Sequence, residues 1–287
     1  MKFKTAKFDG IDPEMSRQDA EAARHLLADN GVLHVPIAER LDKEGFAKIS
    51  QLFGDVKDPV ARTKRGDQYR YSEKLQHIDA GYVFKEEDRE KFGEMTFGGL
   101  DDQRPGLFET YHCDDTYTED PAQFTILHAR ALPQSGGGPT HFMDMRAAFL
   151  QLDQQEQERL RSFTVCYAYN NQNAFPPRRS AAGAADMLID VEHPLIRTHP
   201  DAGTEAIFVD LDRATHIKEL PVQEGRQLLQ HLQDLAEANA PKFAHSWQAN
   251  DILIWDNASV QHKAGGDFAV GEERRFWRHM IAGPKPA

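Results

Sequence analysis

The chain reads as a mainly β protein with flanking helices around a jelly-roll core. Three observations carry that reading. From Phe124 onward short β-type runs recur, turn clusters such as Ser135-Gly136-Gly137-Gly138-Pro139 separate them, and two helical patterns interrupt them. Many short strands with regular turn signals are the pattern of a sandwich or closed barrel. At 287 residues the chain is long enough to bury about 70–75% of the surface it exposes when unfolded, so it needs no disulfide or metal staple to fold.

The elements follow in order. Ser16 with Asp19 reads as a capping box that opens a helix carrying Ala20, Ala23, Leu26 and Leu27, with Asn30-Gly31 as its stop. Val32–Val35 is a short strand. A second helix is expected near Asp42–Phe53, since Phe46, Ile49 and Phe53 fall at helical spacing before Gly54. Residues 55–108 are polar and poorly periodic, and a stretch that long points to a lid or binding loop; Tyr69, Tyr71 and Phe84 are its candidate covering residues. Strands are expected at Phe124–Leu132, Thr140–Met143, Thr164–Tyr169, Leu195–Thr198, Ala206–Asp210, Ile252–Trp255 and Arg275–Ile281. Helices are expected at Arg146–Phe163 and Val222–Asn239. No repeat or Gly/Ser linker divides the chain. One domain over 1–287 is the expectation, with an N-terminal α/β portion and lid over about 1–110 and a metal-binding core over about 111–284.

Lys and Arg number 34 against 46 Asp and Glu, a net charge of −12. That field repels phosphate backbones and anionic lipid, which argues for a small-molecule substrate and against nucleic acid or membrane as partners. Two cysteines, Cys113 and Cys166, make no disulfide framework and suit a reducing compartment. No secretory signal and no run of 18 apolar residues is visible, so a cytoplasmic protein is expected.

His-x-Asp occurs three times, at His77-x-Asp79, His112-x-Asp114 and His199-x-Asp201. Residues i and i+2 of a strand share a face, so such a pair can take two adjacent positions on one metal. A histidine from a distant strand then completes a set of two histidines and one carboxylate that leaves coordination positions open. Pro200 and the nearby Gly203 make His199-x-Asp201 a turn, and His77-x-Asp79 lies in the irregular segment. His112-x-Asp114 precedes the β-type region between Tyr111 and Tyr117, and His262 follows the apolar run Ile252–Ile254 by way of a turn. Cys113 between them reads as a small buried apolar residue.

Arg274-Arg275-Phe276-Trp277-Arg278-His279 alternates like a strand. Arg275, Trp277 and His279 share one face; Arg274, Phe276 and Arg278 share the other. A guanidinium inside a barrel calls for an anion, and a carboxylate matches its fork.

These residues resemble the taurine dioxygenase family. The resemblance rests on His112-x-Asp114, Leu127-x-Ala129-Arg130-x-Leu132-Pro133, Gly136-Gly137, Thr140, Asp144-Met145, Trp255-Asp256-Asn257, His262 and Arg274-Arg275, in this order. It covers Tyr111 to Pro284 well and the first 110 residues loosely. It implies a double-stranded β-helix core of cupin-like, jelly-roll type, and Fe(II), 2-oxoglutarate and O2 as cofactors and cosubstrates. The implied reaction couples oxidative decarboxylation of 2-oxoglutarate to succinate and CO2 with hydroxylation or oxidative cleavage at a C–H bond of a small organic substrate. It implies His112, Asp114 and His262 as metal ligands, and Arg275 with Thr140 as the 2-oxoglutarate carboxylate site. Arg274 is the alternative to Arg275, because the spacing from His262 is about two residues longer than the family's usual one.

In the taurine enzyme a second arginine, four positions after the keto-acid arginine, grips the sulfonate. Counted from Arg275 that place is His279, with Arg278 beside it, and Phe108 replaces the asparagine four residues before the first ligand. Taurine is therefore not the expected substrate; one with a carboxylate or other weakly held polar group on an apolar or aromatic body is. Phe108, Asn170, Arg278 and His279 are the candidate substrate contacts. Two other readings stay open: the same cofactors used for desaturation or cyclisation, and a cupin-like metalloenzyme that uses no 2-oxoglutarate. Family members are often dimers or tetramers, so a homo-oligomer is compatible with the resemblance.

Overall fold

The computed structural model describes residues 2–9, 11–37, 39–58, 76–79, 110–169, 191–268, 272 and 274–287. Phe108, Asn170 and the proposed lid residues Tyr69, Tyr71 and Phe84 lie outside them.

In chain order the elements are β1 (Ala6–Lys7), α1 (Arg17–Asn30), β2 (Val32–Val35), α2 (Lys43–Gln51) and β3 (Gln76–Asp79). There follow β4 (Ala122–Ala131), β5 (Thr140–Asp144), α3 (Met145–Phe149), α4 (Gln154–Arg161) and β6 (Thr164–Tyr167). Next come β7 (Val191–Pro194), β8 (Ile196–Thr198), β9 (Glu205–Ile207), β10 (Ala214–Ile217) and α5 (Val222–Asn239). The chain closes with β11 (Lys242–His245), β12 (Ile252–Asp256), β13 (Val260–Ala264) and β14 (Arg275–Ala282).

The capping signals act as expected. Ser16 Oγ accepts from the Asp19 amide and Asp19 holds the Ser16 hydroxyl in return. Gly31, at φ +77°, ends α1 by donating to Leu27. Asp42 caps α2. The expected helix over Arg146–Phe163 is two helices, because Asp153 caps α4 afresh.

The fold is mostly β. A six-stranded sheet has the order β1-β2-β12-β4-β14-β3, and three-stranded sheets have the orders β11-β5-β13 and β10-β6-β7. Strand alternation gives the large sheet two covered faces. Phe124, Ile126, Ile252, Ile254, Trp277 and Ile281 pack with Ala23 and Leu27 of α1 and Phe46 and Ile49 of α2. On the other face Leu127, Ala129, Leu253, Trp255 and Phe276 meet Phe142 of β5 and Val260 of β13. A further core joins Met143 and Phe149 to β6 and to Leu229 and Leu232 of α5. The functional residues gather in the layer between the large sheet and β11-β5-β13. Among the described residues no helix is long and apolar enough to cross a membrane.

Candidate active site

His262 follows the turn after β12, as expected, and lies on the strand β13. Its backbone exchanges two hydrogen bonds of 3.0 Å with His112, a single antiparallel bridge. That pairing brings the two imidazoles to a centroid distance of 4.3 Å. Asp114 follows His112 into a turn, where Asp115 takes a positive φ of 59°. One donor atom each from His112, Asp114 and His262 lie within 4.8 Å of one another, and all three residues are buried.

The supporting contacts come from the Trp255-Asp256-Asn257 motif. Asn257 Oδ1 accepts from the Asp114 amide and from the Trp255 indole. Asn257 Nδ2 donates to Thr125 Oγ1, whose hydroxyl donates to Asp114 Oδ2 at 2.7 Å. Asp256 is held in turn by His199 Nε2. The His199-x-Asp201 segment is therefore a turn, as read, and its histidine is a strut. His112 Nδ1 donates to the Thr110 carbonyl at 2.9 Å, which leaves the ring lone pair on Nε2.

The electrostatics suit a cation. Burial pushes the Asp114 carboxyl up, but Arg278, His262, His112 and the Thr125 hydroxyl outweigh it and hold the group at about 2. Burial first, then His112 and Arg278, pull His262 down to about 3 despite Asp114. Near neutral pH the cluster thus presents a carboxylate and a neutral imidazole, the protonation states a metal requires of them. Two nitrogens and one oxygen on converging segments fit a divalent transition ion with positions to spare.

Side-chain contacts along β14 and at the residue before it sort the arginines. Arg278 Nη1 lies 3.2 Å from Asp114 Oδ1. Arg274, on the same face, is buried; its Nε donates to the Gly138 carbonyl at 2.9 Å and its guanidinium covers the Phe276 ring at 4.4 Å. Burial is the largest influence on Arg274 and lowers it to about 10, so it stays a cation at neutral pH. Gly138 sits at φ +64°, and a Cβ there would meet Arg274 Nε at 2.8 Å. The glycine turn exists to let this side chain pass.

Arg275 lies on the opposite face with Trp277 and His279. Its charge is felt by Arg130, which itself covers Trp277 at 3.5 Å. His279 stacks on Phe46 at 4.6 Å and its Nδ1 meets Ser50 Oγ at 2.8 Å. Neither residue reaches the layer that holds the triad, so the expectations for Arg275 and His279 give way to Arg274 and Arg278. Thr140 opens β5 within that layer, its Oγ1 accepting from Trp247 Nε1 at 3.0 Å. Trp247 lies 4.5 Å from the Phe276 ring. Thr140, Trp247, Phe276 and Arg274 thus form one continuous wall. Cys113 is buried, and its thiol is pushed well up by burial, so it is no nucleophile.

A family model, taurine catabolism dioxygenase TauD, TfdA family, matches residues 2–280. The chain belongs to the TauD/TfdA dioxygenase family. It is an oxidoreductase of the 2-oxoglutarate-dependent type. A Burkholderia sp. (strain RASC) protein named alpha-ketoglutarate-dependent 2,4-dichlorophenoxyacetate dioxygenase is 29% identical over 250 residues, 85% of this chain and 79% of that one. Pentalenolactone F synthase of Streptomyces arenae is 30% identical over 186 residues, 60% of each. A crystal structure of AAD-2 in complex with Mn(II) and N-oxalylglycine shares the fold at a TM-score of 0.79 and 22% identity, over 100% of this chain and 97% of that one.

Arg274 was the alternative to Arg275, Trp247 and Thr125 were not among the expected site residues, and His199 was expected only as part of a turn. The signal for Thr125 and Asn257 was the Trp-Asp-Asn motif itself; nothing local marks Trp247 or His199.

Proposed function

We propose that His112, Asp114 and His262 hold Fe(II), that Arg274 and Thr140 receive the distal carboxylate of 2-oxoglutarate, and that Arg278 receives an anionic group of a small organic substrate. One observation carries the reading. A buried triad and two inward guanidiniums share one layer, Arg274 beside the Thr140 wall and Arg278 beside the metal ligand Asp114. When bound, iron with 2-oxoglutarate and O2 supplies the oxidising chemistry, succinate and CO2 being formed as a substrate C–H bond is attacked.

The chain's own residues then have distinct tasks. Thr125 and Asn257 aim the Asp114 carboxylate. Trp247 occupies a lone pair of Thr140 Oγ1, which leaves the hydroxyl proton to donate to an incoming carboxylate. Phe142, Trp255 and Phe276 keep the layer dry, which strengthens the ionic contacts inside it. Counted from Arg274, the place of a second anion-gripping arginine is Arg278, so His279 no longer stands where that arginine would be. An aryl or alkyl carboxylate is the class we favour. Relatives named for phenoxyacetate and phenoxypropionate acids are of that kind. The reading includes a jelly-roll core and one domain over 1–287, working in the cytoplasm on a small molecule, with no nucleic acid or membrane partner; a homo-oligomer is compatible with it. A synthase among the relatives keeps desaturation or cyclisation as the second reading.

The test is anaerobic. Fe(II) and 2-oxoglutarate added to metal-free protein should produce the visible charge-transfer band of a chelated keto acid, absent in His262→Ala. Metal binding without the band would favour the cupin-like alternative. Trp247→Phe removes one hydrogen bond to Thr140, about 1 kcal/mol. A roughly fivefold rise in KM for 2-oxoglutarate with little change in kcat is expected; an unchanged KM would show that Thr140 needs no such help.

A further inference from the structure

We propose that His34, His245 and Asp251 form a second divalent-cation site, of Zn2+ type, separate from the triad. His34 Nε2 lies 3.0 Å from Asp251 Oδ1, and His245 Nε2 lies 3.2 Å from Asp251 Oδ2. The two rings are 4.7 Å apart, and one donor atom from each residue falls within 4.8 Å of the others. Ligands at zinc bond lengths on a tetrahedron stand about 3.4 Å apart, so small side-chain adjustments suffice to seat the ion.

Each donor is fixed by a different element. His34 sits on β2 opposite Leu253 of β12. His245 ends β11, opposite Thr140. Asp251 is presented by a turn in which Asn250 takes a positive φ of 67°. The Gln248 amide donates to its Oδ2 at 2.9 Å, and its carbonyl accepts from the Ala129 amide. The cluster is therefore formed before any ion arrives.

A plain hydrogen-bonded strut accounts for it less well. His34 Nε2 is buried and close to the carboxylate, yet makes no aligned hydrogen bond. A nitrogen so placed, with a carboxylate oxygen and a second imidazole beside it, has the arrangement of a ligand. Two imidazoles and one carboxylate suit Zn2+ and not Ca2+ or Mg2+, which prefer oxygen. The His34 side chain is 25% exposed while Asp251 is 3% exposed. Water would take the fourth position.

The experiment is equilibrium dialysis of the metal-free full chain against Zn2+, counting bound metal. The wild type is expected to hold two equivalents, His34→Gln one, a His112→Ala/Asp114→Ala variant one, and the combined variant none. In the triad-deleted variant Co2+ should give four-coordinate visible absorption that vanishes on adding His34→Gln. Zn2+ should raise Tm in the triad-deleted variant and leave it unchanged in the combined one. His34 is partly exposed, so its replacement tests binding without emptying a core position. A single equivalent in wild type, or two in His34→Gln, overturns the proposal; the latter would place the extra zinc on other histidines. Either result leaves the triad reading standing, because the anaerobic band reports on that site alone.

Discussion

Asp114→Ala abolishes succinate formation. Contacts that merely orient a metal ligand are worth about 10–100-fold in metal affinity or activity, so removing the ligand itself should cost more than about 100-fold. The damage is double. The substitution takes away the one anionic donor of the triad and leaves Arg278, 3.2 Å from it, beside two imidazoles with no negative charge between. Asp114→Asn separates the two losses: it keeps the shape and the Thr125 contact but not the charge. It too should lose iron, measured by metal retention after desalting. Thr125→Val, which alters only the aim of the carboxylate, should fall within the 10–100-fold range. Full activity in Asp114→Ala would remove the residue from the metal site.

Arg274→Ala raises the 2-oxoglutarate requirement steeply, and Arg275→Ala leaves it nearly unchanged. Truncating one member of a buried charged pair costs about 2–5 kcal/mol, which is roughly 30-fold to several thousand-fold in KM. Arg274→Lys should recover part of this, since an ammonium keeps the charge but loses the planar fork. Arg275 is only half-buried and faces away from the triad, and substitutions at such positions usually change little beyond about 0.5 kcal/mol. Steady-state KM for 2-oxoglutarate in the three variants decides the matter. A steep rise in Arg275→Ala with none in Arg274→Ala would reverse the assignment.

Much of the molecule is legible before folding. Ser16, Asp42 and Gly31 mark helix ends because capping is a local hydrogen-bond problem solved within four residues. The strands around Phe124, Thr140 and Ile252 show in their β-branched and aromatic runs. The strand at Val260–Ala264 does not, since Val-Gln-His-Lys-Ala lacks any apolar pattern and is a strand because β5 pairs with it. The break between α3 and α4 was missed because Asp153 reads equally well as a solvated residue of one continuous helix. His199, buried and polar, looks in the sequence like an exposed residue of a turn.

The donors and their spacing are readable from the order of amino acids alone. His112-x-Asp114, a distant His262 and an alternating Arg274–His279 strand are enough to name the chemistry and the family. What it left to the tertiary structure was parity. Residues 274, 276 and 278 separate from 275, 277 and 279 on sequence alone, but not which set faces the metal. Both faces of this sheet are covered, one by helices and one by β5 and β13, so Phe276 and Trp277 are both buried and hydrophobic alternation carries no sign. The sign came from packing. Trp277 and His279 pack against Phe46 of α2, and that contact turns Arg274 and Arg278 toward the triad.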